Sequence, residues 1–368
     1  MPRKPSTFVF AFSAFLLLQA AGTSRAAAQP EHEGLRFFDT GPLRIREQFL
    51  LGQGFLAFEP TSADLLEAGR WQVDVIQNVT NTWVKSDVVE ERFDARSGRG
   101  PVELEELSAL DYDPGEGLYY ADGELYRTSV SIRRGIGHGL QLSITIPVLD
   151  FQGGLADSTI ECFHDTFGFS QSGRDGAFRD SFGVYLRDNE GAELYLGDAP
   201  SPGLGDVSVG VRTRLPAPAS WQLAVEGQLE LPTGEEERLY GSGSLDIGAE
   251  LLGTRYFERS CLHFGVSVVH LGENDSLHTG EQVIGAAMLA YEHAWGRGAS
   301  VIFQGTASQS PFRDLEIAQL DEIAYLVDLG VKKSFGSRWV AFVAVSENLL
   351  NFGSSADVGL HLGMTWSM

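Results

Sequence analysis

DVGLHLGMTWSM, residues 357–368, alternates apolar and polar positions without a break. Extended backbone sends successive side chains to opposite faces, so Val358, Leu360, Leu362, Met364, Trp366 and Met368 form one row. Gly359, His361, Gly363, Thr365 and Ser367 form the other. In a water-soluble sheet an apolar row of this length needs a covering layer, and no residues follow to supply it. The hydrocarbon of a bilayer can cover it instead, which makes a lipid-facing strand the expectation.

The same period runs upstream. Leu140, Leu142, Ile144, Ile146 and Val148 alternate with Gln141, Ser143 and Thr145. Val207, Val209 and Val211 alternate with Ser208, Gly210 and Arg212, and Ile323, Tyr325, Val327, Leu329 and Val331 with Asp328, Gly330 and Lys332. Strands are expected near 70–84, 124–134, 139–149, 203–215, 219–232, 243–257, 260–272, 281–295, 298–309, 322–335, 337–350 and 356–367. The connections alternate too. GIGHG (135–139), LPAPAS (215–220), FERS (257–260), GRGA (296–299) and FGSR (335–338) are short, whereas 150–202, 233–243, 273–280 and 310–321 are longer and polar. Segment 102–112 is placed in a first external loop. Short turns at one end and long loops at the other are the habit of outer-membrane barrels. The fold class is therefore all-β: an antiparallel transmembrane β-barrel of about 12 strands, with one short helix in a long external loop. Trp71, Trp221, Trp295, Trp339 and Trp366 fall at strand ends, where an interfacial girdle would hold them.

Arg3 and Lys4 precede an apolar run from Phe8 to Leu18, and Ala26-Ala27-Ala28 offers a cleavage site. Residues 1–28 are read as a Sec signal peptide, so the destination is the outer membrane of a Gram-negative bacterium. Residues 29–69 are expected to hang in the periplasm or to plug the lumen, with Phe49, Leu50, Leu51, Phe55 and Phe58 asking for burial. Residues 70–368 form the barrel. Fifty acidic side chains against 27 basic leave a formal charge of −23, which argues against a nucleic-acid partner. Cys162 and Cys261 are expected as free thiols. The implied partners are outer-membrane lipid and lipopolysaccharide, and the barrel-assembly machinery, whose C-terminal signal Gly363, Trp366 and Met368 resemble.

If the apolar positions face lipid, the alternate ones face the lumen: Arg127, Arg133, Asp206, Arg212, Glu226, Glu230, Asp246, Glu250, Asp328 and Lys332, together with Glu292 and His361. Such charges are paired or hydrated, either along a solute pathway or in a network that braces the walls. The one helix-like stretch is ADSTIECFHDTFGF (156–169). Ser158 and Glu161 suggest a capping box, Gly168 a C-cap, and Ile160, Phe163 and Phe167 one apolar face. That face would pack into the barrel mouth as a constriction or plug, with Glu161, His164 and Asp165 beside it. A lone histidine with flanking acids falls short of a metal or catalytic set, so no catalytic residue, metal or cofactor is assigned. Asp111, Asp113 and Glu116 of LDYDPGEG (110–117) read as a solvated acidic loop before they read as a cation loop.

GGLADSTIECFHDTFGF (153–169), GLGD (203–206) and LELPTG with GSGSLD (229–234, 241–246) together resemble a Gram-negative family catalogued only as a domain of unknown function. EPTSADLLEAGRW (59–71) resembles that family's entry into its first strand. The resemblance implies the same compartment and fold, and no substrate or catalytic residue. The resulting expectation is a passive or gated channel for small solutes, constricted by 156–168. An outer-membrane lipid hydrolase, using Ser158, His164 and Asp165, and a structural barrel with a sealed lumen are the alternatives.

Overall fold

The computed structural model describes residues 40–111, 117–168, 170–188, 191–296, 298–348, 350 and 353–368; the side chains of Phe163 and Phe167 lie outside the described set. The signal-peptide reading of 1–28 and the loop residues Asp113 and Glu116 also lie outside it.

The wall is one closed antiparallel sheet of twelve strands. They are β1 (Trp71–Lys85), β2 (Leu118–Gly137), β3 (Leu140–Gln152), and then β7 (Val207–Leu215), β8 (Gln222–Leu231), β9 (Asp246–Tyr256), β10 (Ser260–Leu271), β11 (Gln282–Gly296), β12 (Ala299–Ser308), β13 (Ala324–Phe335), β14 (Trp339–Asn348) and β15 (Val358–Ser367). β1 closes the ring by pairing with β2 on one side and β15 on the other, from Gln72↔Ser367 to Asn81↔Val358. Closure leaves no free edge inside the bilayer, where an unpaired backbone amide is costly. Every strand expected from the two-residue period is present.

The burial pattern is inside out. Leu142, Val211, Ile247, Val266, Phe303, Leu329, Val343 and Leu362 are exposed on the outer surface, while Gln72, Asp74, Ser131, Gln141, Thr254, Gln304 and Thr365 are buried. An apolar exterior around a polar interior is stable only where lipid replaces water outside. Trp71, Trp221, Trp295, Trp339 and Trp366 all sit at the short-turn end, and Trp339 stacks on Trp366 with centroids 5.7 Å apart.

The long-loop end is more elaborate than expected. A hairpin of β4 (Gly183–Arg187) and β5 (Glu193–Leu196) extends the wall beyond β2, and β6 (Gly203–Leu204) adds two residues beside β3. Instead of one helix there are three among the described residues: α1 (Asp87–Asp94), α2 (Leu104–Ser108) and α3 (Asp157–Phe167). In α1, Val89 and Phe93 sit four apart and bury against Trp83, Leu107, Leu118, Tyr120 and Tyr185, so tertiary packing makes this short helix. In α3 the capping box does not form. The helix begins after Ala156, and Glu124 Oε1 accepts from Leu155 N at 2.9 Å and Ala156 N at 2.7 Å. Gly168 ends α3 in the left-handed region at φ 75°.

Candidate functional site

Residues 40–66 run inside the barrel. They enter at the short-turn end, where Lys332 Nζ donates to Gly41 O and lies 3.1 Å from Glu292 Oε2. Leu43 and Ile45 then pack on Met288, Ala290, Ile302 and Ala344. At the long-loop end, Phe49, Leu50, Leu51 and Phe55 join Tyr119, Phe151, Tyr240, Leu271, Phe312, Ile317 and Leu320 in the largest apolar cluster of the chain. The chain turns there and descends. Leu56 N donates to Asp246 Oδ2 at 3.0 Å, Ala63 N to Thr254 Oγ1 at 2.9 Å and Leu66 N to Gln141 Oε1 at 3.0 Å, which returns it to the start of β1. This inner segment is a two-pass strap with an apolar tip in the mouth.

Between the passes and the wall lies an ionic network. Arg44 contacts Asp74 Oδ2 at 2.8 Å and Glu59 Oε2 at 2.6 Å. Arg133 shares Asp74 Oδ2, also at 2.8 Å, and Arg127 reaches Glu59 at 3.5 Å. Arg212 Nε donates to Glu226 Oε2 at 2.6 Å and Nη1 to Ser62 O at 2.8 Å. Arg44 and Arg127 together hold the Glu59 carboxyl in place, while Arg44 and Arg133 hold Asp74. A cavity of ≈ 30 Å³ remains, lined by Arg44, Arg46, Glu59, Arg127, Arg133, Arg212 and Glu226 among others. At roughly 10–15 Å³ per water, that space holds about two waters and no solute.

The residues expected on the lumenal face are all buried. Arg127, Arg133, Arg212, Asp246 and Lys332 bond the inner segment directly. Glu230 accepts from Ser208 Oγ at 3.0 Å and Asp328 from Gln304 Nε2 at 2.9 Å; one oxygen of Glu250 has no hydrogen-bond partner among the described residues. Asp206 has a different task. It precedes β7 and accepts from Thr233 N, Gly234 N and Ser242 N at 2.8, 2.7 and 2.7 Å, tying down the β8–β9 loop. Asp74, Arg44 and Glu59 were not singled out in sequence, although Asp74 shares the polar face of WQVDV with Gln72.

Helix α3 sits among the external loops. Ile160 is buried, outside the cluster that surrounds the strap's tip. Glu161 pairs with Arg99 Nη2 at 2.8 Å and with Arg179; burial pushes its carboxyl up, and the hydrogen bonds from Arg179 and Arg99 bring it below the usual range. His164 Nδ1 lies 2.8 Å from Ser170 O, and Asp165 accepts from Gln171 Nε2 at 2.7 Å. Asp157 accepts from Asp180 N at 2.7 Å and from Arg174 Nη1 at 3.1 Å. Arg174, fully enclosed, also reaches Asn81 Oδ1 at 3.1 Å and Asp357 Oδ2 at 2.8 Å and lies over the Trp83 ring. Among the described residues no group of three or more His, Cys, Asp or Glu could hold a metal ion. Cys162 is exposed and Cys261 buried, both free.

One solved structure shares the architecture, and others resemble it more distantly. The COG4313 outer membrane channel from Pseudomonas putida F1 superposes with a TM-score of 0.52 at 13% identity, covering 85% of this chain and 100% of that one. The NanC porin gives 0.42 at 8% identity, covering 80% and 98%, and the KdgM porin in complex with disordered oligogalacturonate gives 0.39 at 7%, covering 81% and 99%. At such identities the likeness to the first concerns the fold alone. No curated protein matches the sequence. A family model does, over residues 112–368, and by that match the chain belongs to the family described as “Protein of unknown function (DUF3187)”.

Proposed function

We propose that the chain is an outer-membrane channel for small solutes whose resting state is closed by its own residues 40–66. The observation that carries this reading is the strap itself: two passes through a polar lumen, fastened by hydrogen bonds and ion pairs with wall residues. Polar fastening of the passes can exchange for water when the strap shifts, while the apolar contacts of Leu43, Ile45 and the tip hold the resting state closed. In this reading the narrowest point is the tip at 49–55, and Ile160, Glu161, His164 and Asp165 hold the loops that cover it. Export by the Sec signal, assembly through the C-terminal strand and contact with lipopolysaccharide belong to the same proposal.

Planar-bilayer recording tests it. The full chain is expected to show rare openings, and Arg44→Ala, which removes the nearer partner of Glu59 and half of the Asp74 pairing, frequent ones. Silence from both proteins over the whole voltage range would instead make this a structural barrel with a sealed lumen.

A further inference from the structure

Three side chains on three adjacent wall strands form one hydrogen-bonded chain facing inward. Ser346 Oγ on β14 lies 2.7 Å from His361 Nε2 on β15, and His361 Nδ1 lies 2.7 Å from Asn78 Oδ1 on β1. An amide oxygen only accepts. The Asn78 bond therefore keeps the imidazole proton on Nδ1 and leaves Nε2 to accept from the Ser346 hydroxyl. Nucleophile, base and orienting group stand in the order that acyl transfer uses.

Two further features mark the place. Gly359 is the register partner of both Thr80 and Ser346, so these two flank it on the same face. A Cβ on Gly359 would come within 2.4 Å of Ser346 Oγ and 2.6 Å of His361 Nε2; only glycine leaves the front of the serine–histidine pair free. Across that notch, Thr80 Oγ1 is buried and has no hydrogen-bond partner among the described residues. A preorganised donor beside a nucleophile is what a developing oxyanion needs.

We infer that Ser346, His361 and Asn78 form a latent acyl-transfer site for small carboxylic esters in the lumen, with the Thr80 hydroxyl facing the oxyanion. Ser346 Oγ bonds to the ester carbonyl carbon as its proton passes to His361 Nε2. The bond to the alcohol oxygen breaks, and His361 returns the proton to that leaving group. Lumenal water, deprotonated in turn by His361, releases the carboxylic acid and restores the serine. Asn78 is a positioning residue. The strap covers the site, because Leu43 and Ile45 pack on Ala344, the register partner of His361. The inference needs a small ester to reach the lumen, and does not depend on passage through it.

The test uses the full chain in detergent micelles with diisopropyl fluorophosphate. An Oγ–P bond forms, the P–F bond breaks and fluoride leaves, so the adduct reports an activated serine. Leu43→Ala/Ile45→Ala removes the cover without touching the site; if that protein loses its heat-modifiable mobility, Ile45→Ala alone serves. Peptide mass spectrometry should find the adduct at Ser346, forming roughly 100-fold more slowly when His361→Gln is added. Asn78→Asp should retain the rate and Asn78→Ala lose it with an altered pH profile. No adduct at Ser346 in the uncovered protein, or equal rates with and without His361, overturns the inference. A conductance result of either sign leaves this outcome standing, so the two readings fail separately.

Discussion

Leu43 fills the notch at Gly330: a Cβ added to Gly330 would lie 2.9 Å from both methyl carbons of Leu43. The same Cβ would meet Ala344 Cβ at 2.9 Å, but that methyl is fixed by the β13–β14 pairing, so the strap is the partner that moves. Gly330→Val is expected to lift the ascending pass off the wall. Overpacking of this kind costs about 1–3 kcal/mol. The signature is a lowered unfolding midpoint in micelles with more frequent openings in bilayers; a destabilised but silent protein would mean that the wall and not the strap had yielded.

Arg44 ties both passes of the strap to the wall, since one guanidinium serves Glu59 from the returning pass and Asp74 from β1. Removing one partner of a buried ionic group costs about 3–5 kcal/mol, because the remaining charges stay enclosed. Arg44→Ala should lower denaturant stability by that order, and Arg44→Lys by less, since an ammonium keeps the buried charge although it cannot fork across two carboxylates. Urea unfolding of the three proteins decides it: equal midpoints would show that water fully replaces the guanidinium.

The barrel was legible because lipid imposes the simplest possible code, one apolar side chain every second residue, and closure then demands an even count. The lumenal face was legible for the same reason, from the complementary positions. The strap was not, because residues 40–66 follow no period; each takes its conformation from a different wall residue, such as Thr254 for Ala63 and Gln141 for Leu66. Only Phe49, Leu50, Leu51, Phe55 and Phe58 announce burial there; the first four are buried and Phe58 is partly buried against the same cluster. Helix α1 left a fainter trace, Val89 and Phe93 four apart after Ser86. The chain of Asn78, Ser346 and His361 could not be read at all, since it depends on the register in which β1 and β14 meet β15.

Arg174 gathers the external loops by bonding Asp157 at the start of α3, Asn81 at the top of β1 and Asp357 before β15. Arg174→Met keeps much of the stem's bulk over Trp83 and removes all three bonds. The two carboxylates then lose their common cation, and α3 with its flanking loop should detach from the mouth. Limited trypsin digestion of the folded barrel reads this as cleavage at Arg179, absent from the parent protein under the same conditions. Identical digests would place the anchor elsewhere, with the Glu161 pairs to Arg99 and Arg179 as the first alternative.

Glu47 links the strap to the outer loops, accepting from Phe49 N and, at 3.2 Å, from Ala356 N. Burial pushes its carboxyl up to about 7, and the amides of Phe49 and Ala356, with Arg46, pull the other way without prevailing. In a released strap the group returns to its ordinary value of 4.5, so the docked state binds the proton more tightly. Docking therefore gains from protonation below 4.5 in full, and the gain is lost as pH rises through about 7. Openings should become more frequent over that interval as alkali is added. Glu47→Gln, which keeps an uncharged acceptor for the same amides, should hold the strap docked throughout and flatten the profile. Openings that grow rarer toward alkaline pH, or a profile unchanged by Glu47→Gln, would take the proton-linked group away from this carboxylate.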